Sequence, residues 1–88
     1  MNYYIALLHM KNASKNEEVL PKHIAYLDEL DEQGYILGRG PFTDGSGGLV
    51  IYKAASFEEA KTFAENDPHV IEGVRSLELK EWKPILSK

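Results

Sequence analysis

A histidine at position 23 and an aspartate at position 67 are the residue types that acid–base chemistry on a small molecule requires. An imidazole exchanges protons near neutral pH. A carboxylate at one ring nitrogen fixes the tautomer and steadies the imidazolium, leaving the other nitrogen to act. Between these residues, Gly38-Arg39-Gly40-Pro41 closes a strand. Gly40 and Pro41 form a corner, and Arg39 offers a bidentate donor to an anionic substrate group. Each of these residues also has a plainer reading. His23 would then be a boundary histidine bonded to a loop carbonyl. Asp67, before Pro68, would be a turn initiator whose carboxylate takes nearby N–H groups. Arg39 would pair with Asp or Glu at the surface.

Other chemistries find less support. Gly45, Gly47 and Gly48 resemble a phosphate cradle, but no Lys-Ser/Thr follows and no helix opens after them, so they read as a hairpin turn around Asp44-Gly45. No Ser or Cys nucleophile elbow is visible. His9, His23 and His69 match no metal-ligand spacing, so neither a metal nor an organic cofactor is expected. Tyr52 and Trp82 read as packing or interface residues.

The elements that must position His23 and Asp67 follow from periodicity. Residues 2–10 are apolar on both faces, with Tyr3, Ile5, Leu7 and His9 on one and Tyr4, Ala6, Leu8 and Met10 on the other. That predicts a central strand covered on both sides. Lys11–Glu18 reads as a loop. Ser14-x-x-Glu17 resembles a capping box, but Pro21 disfavours a helix through that point, so a separate turn over 15–19 and a helix from about residue 20 are expected. Leu20, Ile24, Leu27 and Leu30 mark its buried stripe, with His23 one step away, and Gly34 ends it. Tyr35-Ile36-Leu37 opens a second strand and Gly48–Ala54 a third, close enough to form an antiparallel hairpin. Ser56-Phe57-Glu58-Glu59 is a capping box for a second helix through about Asn66, with Phe57, Ala60, Phe63 and Ala64 inward. Asp67-Pro68 stops it, a short turn spans His69–Gly73, and Val74–Trp82 is the last strand.

The order β-α-β-β-α-β is that of an α+β, ferredoxin-like domain, with both helices on one sheet face. At 88 residues it is expected to be one domain, residues 1–88. Nothing in the chain is left to cover the other face, and a second copy is the expected partner. The net charge of −4 argues against nucleic acid. The apolar N-terminal run has no basic flank or cleavage pattern and is too short to span a bilayer, so no membrane association is expected. With no cysteine, a reducing cytoplasm is the expected compartment, and thiolate catalysis is ruled out.

His23-Ile24-Ala25-Tyr26-Leu27, Gly40-Pro41-Phe42 with Asp44-Gly45 and Gly47-Gly48, Ser56-x-Glu58-Glu59-Ala60 and Asp67-Pro68, taken in order, resemble the YciI-like (YCII-related) family across nearly the whole chain. That resemblance implies a ferredoxin-like fold paired into a dimeric α/β barrel. It also implies a His–Asp pair in a cleft, matched here by His23 and Asp67, with the Gly40-Pro41 corner matching as well. Dehydrochlorination of a chlorinated hydroxyquinol is a characterised activity of the family. His69 departs from the pattern, standing where an aromatic is usual, and so does His9-Met10 at the end of the first strand. The expectation is a small-molecule enzyme with a His23–Asp67 dyad, of lyase, isomerase or hydrolase type, acting on a quinol-like ring. The alternative is a non-enzymatic dimeric metabolite-binding or accessory module.

Overall fold

The computed structural model describes residues 1–87. Four strands, β1 (Asn2–Met10), β2 (Ile36–Pro41), β3 (Gly47–Ala54) and β4 (Arg75–Trp82), form one sheet in the order β2-β3-β1-β4. Every neighbouring pair is antiparallel. Three helices complete the described residues: α1 (Ala13–Glu32), α2 (Phe57–Glu65) and α3 (Pro68–Ile71). This is a small α+β architecture, compatible with a ferredoxin-like fold.

Strand alternation sends Tyr4, Ala6 and Leu8 of β1 and Val50, Tyr52 and Ala54 of β3 toward the helices, where all six are buried. They pack with Leu27 and Leu30 of α1 and with Ala60 and Ala64 of α2. The opposite face carries Tyr3, Ile5, Leu7, Leu49, Ile51 and Trp82, all half-buried. Among the described residues no helix is long and apolar enough to cross a membrane.

Helix α1 departs from the sequence expectation. It begins at Ala13, not near residue 20, and runs unbroken through Pro21. Proline removes one intrahelical donor, and the carbonyl left over is that of exposed Glu17, which water can satisfy. The first two turns are held from outside. Lys11 N and Asn12 N donate to Val74 O at 3.0 and 2.9 Å, and Val19 is buried. Asn12, not Ser14, takes the N-cap position, so the apparent box at Ser14 is unused.

A helix that starts earlier has a different buried stripe. Val19, His23, Leu27 and Leu30 are buried, whereas Ile24 is 46% exposed. His23 therefore lies on the stripe itself. Gly34, at φ +88°, turns the chain out of α1 as expected.

The second helix opens as the sequence indicates, with Glu59 N donating to Ser56 Oγ at 3.2 Å. Phe57 is the exception to its inward set, at 42% exposed, with its ring edge-on to Tyr4. The expected turn after Asp67-Pro68 is a short helix, α3, with Asp67 at its N-cap and Pro68 in its first turn.

Candidate active site

Asp67 owes its position to α3. Its Oδ1 accepts the backbone N–H of His69 at 2.9 Å, which caps that helix. The same oxygen lies 2.7 Å from His23 Nδ1. The two sequence readings of Asp67, turn chemistry and histidine partner, thus meet in one atom. A carboxylate can only accept, so His23 Nδ1 carries a proton, and in the neutral ring Nε2 holds the lone pair. Among the described residues Nε2 has no hydrogen-bond partner. The His23 ring also lines a cleft.

The third member of the cluster is His69, fully buried with its ring stacked on His23 at a centroid distance of 4.2 Å and an interplanar angle of 24°. Its Nε2 donates to Asn16 O at 3.3 Å. Burial lowers the His69 pKa, and the neighbouring His23 and Arg75 lower it further, outweighing the Asn16 carbonyl and Asp67. His69 is therefore neutral at physiological pH. Asn16 is shared, for its Oδ1 accepts from Arg75 Nη2 at 3.0 Å. A continuous polar edge results, running Asp67–His23–His69–Asn16–Arg75.

Tyr26, one turn along α1 from His23, has a phenol pushed up to about 12, by burial first and then by Asp67 and Glu29. Its hydroxyl donates to Phe63 O at 2.7 Å. It ties α1 to α2 and is not available as an acid at neutral pH.

The cleft measures about 460 Å³ and lies between α1 and the β2 end of the sheet. Leu8, Leu20, Ile24, Leu27 and Val50 give it apolar walls, and Gly40 and Pro41 lie along its β2 side. Arg39 reaches the same cleft, but its guanidinium pairs with Asp28 and, through Nε at 3.5 Å, with Asp31. Asp44 accepts Ser46 N at 2.9 Å in the β2–β3 turn, and hydrogen bonding to Ser46 lowers its pKa.

His9 does not join the other two histidines. It bonds Glu78 at 2.9 Å on the face of the sheet away from the helices. The ligand atoms of His23, Asp67 and His69 do lie within 4.8 Å of one another. Near-parallel stacking puts the in-plane lone pairs of the two rings in separate planes, and Asp67 Oδ1 already takes two hydrogen bonds. The cluster is a hydrogen-bonded stack, and the three groups would have to rearrange before they could share an ion.

Arg75 and Asn16 were not singled out from the sequence. The signal was available for Arg75, which shares strand parity with Leu77 and Leu79 and so had to face the helices.

A family model described as the YCII-related domain matches residues 1–83. This chain belongs to the YCII-related family. Among curated YCII-related proteins, the "Uncharacterized protein YjpA" of Bacillus subtilis (strain 168) is 36% identical over 81 residues, spanning 92% of this chain and 95% of that protein. Among solved structures, the 5-chloro-2-hydroxyhydroquinone dehydrochlorinase TftG of Burkholderia phenoliruptrix AC1100, in complex with 2,5-dihydroxybenzoquinone, matches with a TM-score of 0.79. That match covers 92% of this chain and 93% of the other at 24% identity, which shows a shared fold.

Proposed function

We propose that this YCII-related chain is a small-molecule enzyme in which His23 is the general base and acid and Asp67 orients it. The observation that carries the reading is the 2.7 Å contact between His23 Nδ1 and Asp67 Oδ1 on the wall of an apolar cleft. That contact leaves Nε2 as the proton acceptor. A lyase, isomerase or hydrolase step on a quinol-like ring suits this arrangement. In an elimination, Nε2 takes a substrate proton, the electron pair forms the new π bond and a halide leaves, with no oxidant required. Gly40 and Pro41 supply a backbone wall for the ring. Arg39 contributes a donor edge whose charge is already largely offset by Asp28 and Asp31.

The test is to supply chlorinated hydroquinones under nitrogen and follow chloride release. Release without oxygen, reduced about a hundredfold in Asp67→Asn, is the expected result. Binding with no turnover across the series would instead favour a metabolite-binding module.

The working unit in this reading is a homodimer in the cytoplasm. Tyr3, Ile5, Leu7, Leu49, Ile51 and Trp82 make an apolar face opposite the helices, and a second copy laid on it would close a barrel. Light scattering is expected to give twice the chain mass, and Leu7→Lys, at the centre of that face, a single chain. A wild-type monomer at high concentration would refute the dimer.

A further inference from the structure

Arg75 opens β4 on the helix-facing side of the sheet, in register with Met10. It is only 7% exposed, its Nε has no hydrogen-bond partner, and Nη2 donates to the neutral Asn16 side chain. Among the described residues no carboxylate lies within ion-pair distance of it, and the nearby charge that favours it is that of Asp67, which already holds His23. A guanidinium this buried ordinarily sits against an anion, because water no longer compensates its charge. Burial lowers its pKa more than the Asp67 charge raises it, yet an arginine remains charged. The only other arginine, Arg39, is held by two aspartates. Its Nη1 reaches Gly48, where an added Cβ would stand 3.0 Å from both that nitrogen and Gly40 O. Finally, Arg75 lines the same cleft as His23.

We propose that Arg75 is the anion-binding residue of this cleft. Its ligand is a small ring compound bearing an ionised oxygen, either a carboxylate or a ring oxyanion. This rests on the cleft being a small-molecule site and specifies which small molecules enter it. The oxyanion takes the part of the guanidinium that borders the cleft, whose charged N–H donors suit an ionised oxygen, while Nε stays enclosed beside it and reports the change in charge. The ring lies against Leu20, Ile24 and Val50. Asn16 holds the guanidinium through Oδ1 and the His69 ring through its carbonyl, so the anion site and the ring stacked on His23 share one support. An anion seated at Arg75 is thereby oriented relative to His23 Nε2.

The experiment is an NMR titration that follows the Arg75 Nε–H resonance with benzoate, 4-nitrophenolate and, as the uncharged match for benzoate, benzamide. Saturable movement with either anion, and none with benzamide, is expected; which anion acts separates a carboxylate from a ring oxyanion. Arg75→Gln, which keeps a donor for Asn16, is expected to bind that anion at least about tenfold more weakly, as measured by calorimetry. The proposal is overturned if neither anion binds the wild type at tens of millimolar, if benzamide binds equally well, or if Arg75→Gln retains full affinity. Anion-selective binding at Arg75 without turnover of any ring substrate would count against the catalytic reading alone. Turnover with KM unchanged in Arg75→Gln would count against this one alone.

Discussion

His23→Asn is expected to lower kcat by about 10²–10⁴-fold while leaving the protein folded, a range set by the contribution of a positioned general base. The choice of asparagine matters. Its side-chain amide nitrogen falls near the place of the imidazole Nδ1, so a donor to Asp67 Oδ1 is kept at the 2.7 Å contact. What disappears is Nε2, the nitrogen left to exchange a proton with a substrate. Alanine would confound the outcome, because it leaves a buried carboxylate oxygen short of a donor, at a cost of about 1–3 kcal/mol. Steady-state kinetics on whichever hydroquinone is turned over, with circular dichroism to verify the fold, separates the two effects. Turnover within a factor of a few of wild type would remove His23 from the chemistry.

The largest expected effect on stability comes from Gly47→Ala. Gly47 sits at φ +138°, a conformation that L side chains rarely adopt. A Cβ there would stand 1.9 Å from Leu8 O and 2.9 Å from Leu8 C. The obstacle is backbone, and Leu8 is itself core, so β1 cannot withdraw without opening the cluster around Val50 and Tyr52. Backbone strain and displaced core packing together are expected to cost about 4 kcal/mol or more. Against a total of about 0.05–0.15 kcal/mol per residue, that is a large share of what holds an 88-residue domain together. Urea denaturation should show a much lower midpoint or no folded baseline. Gly38→Ala is the internal control, since a Cβ there meets nothing within 4 Å. Its midpoint should stay close to wild type.

The order of strands and long helices was legible in the sequence because alternation in β1 and β3 and the Ser56 box are local signals. The first helix was misjudged at its start, where two local rules competed with tertiary contacts. Pro21 argues for a break and Ser14 for a cap, but Val74 O holds Lys11 and Asn12 from across the fold, and no local pattern reports that. Starting the helix too late also misplaced its stripe and put His23 beside the core. The approach of His23 to Asp67, distant in sequence, came from family pattern, since periodicity alone left each with an ordinary explanation. The stack of His69 on His23 depends on α3 being a helix and not a turn, a choice that Asp67 makes by capping His69 N. Arg75 was legible in principle, by its parity with Leu77 and Leu79, but Glu81 shares that parity and is exposed, so parity alone does not say which charge is buried.

One oxygen of Asp67 both caps α3 and holds the His23 ring. Natural selection for folding alone would therefore retain this aspartate in descendants that had given up the reaction. Its persistence in a lineage would then say little about whether that lineage still performs chemistry. The free Nε2 of His23 carries no such second duty, and its loss would be the earlier mark of a site fallen out of use.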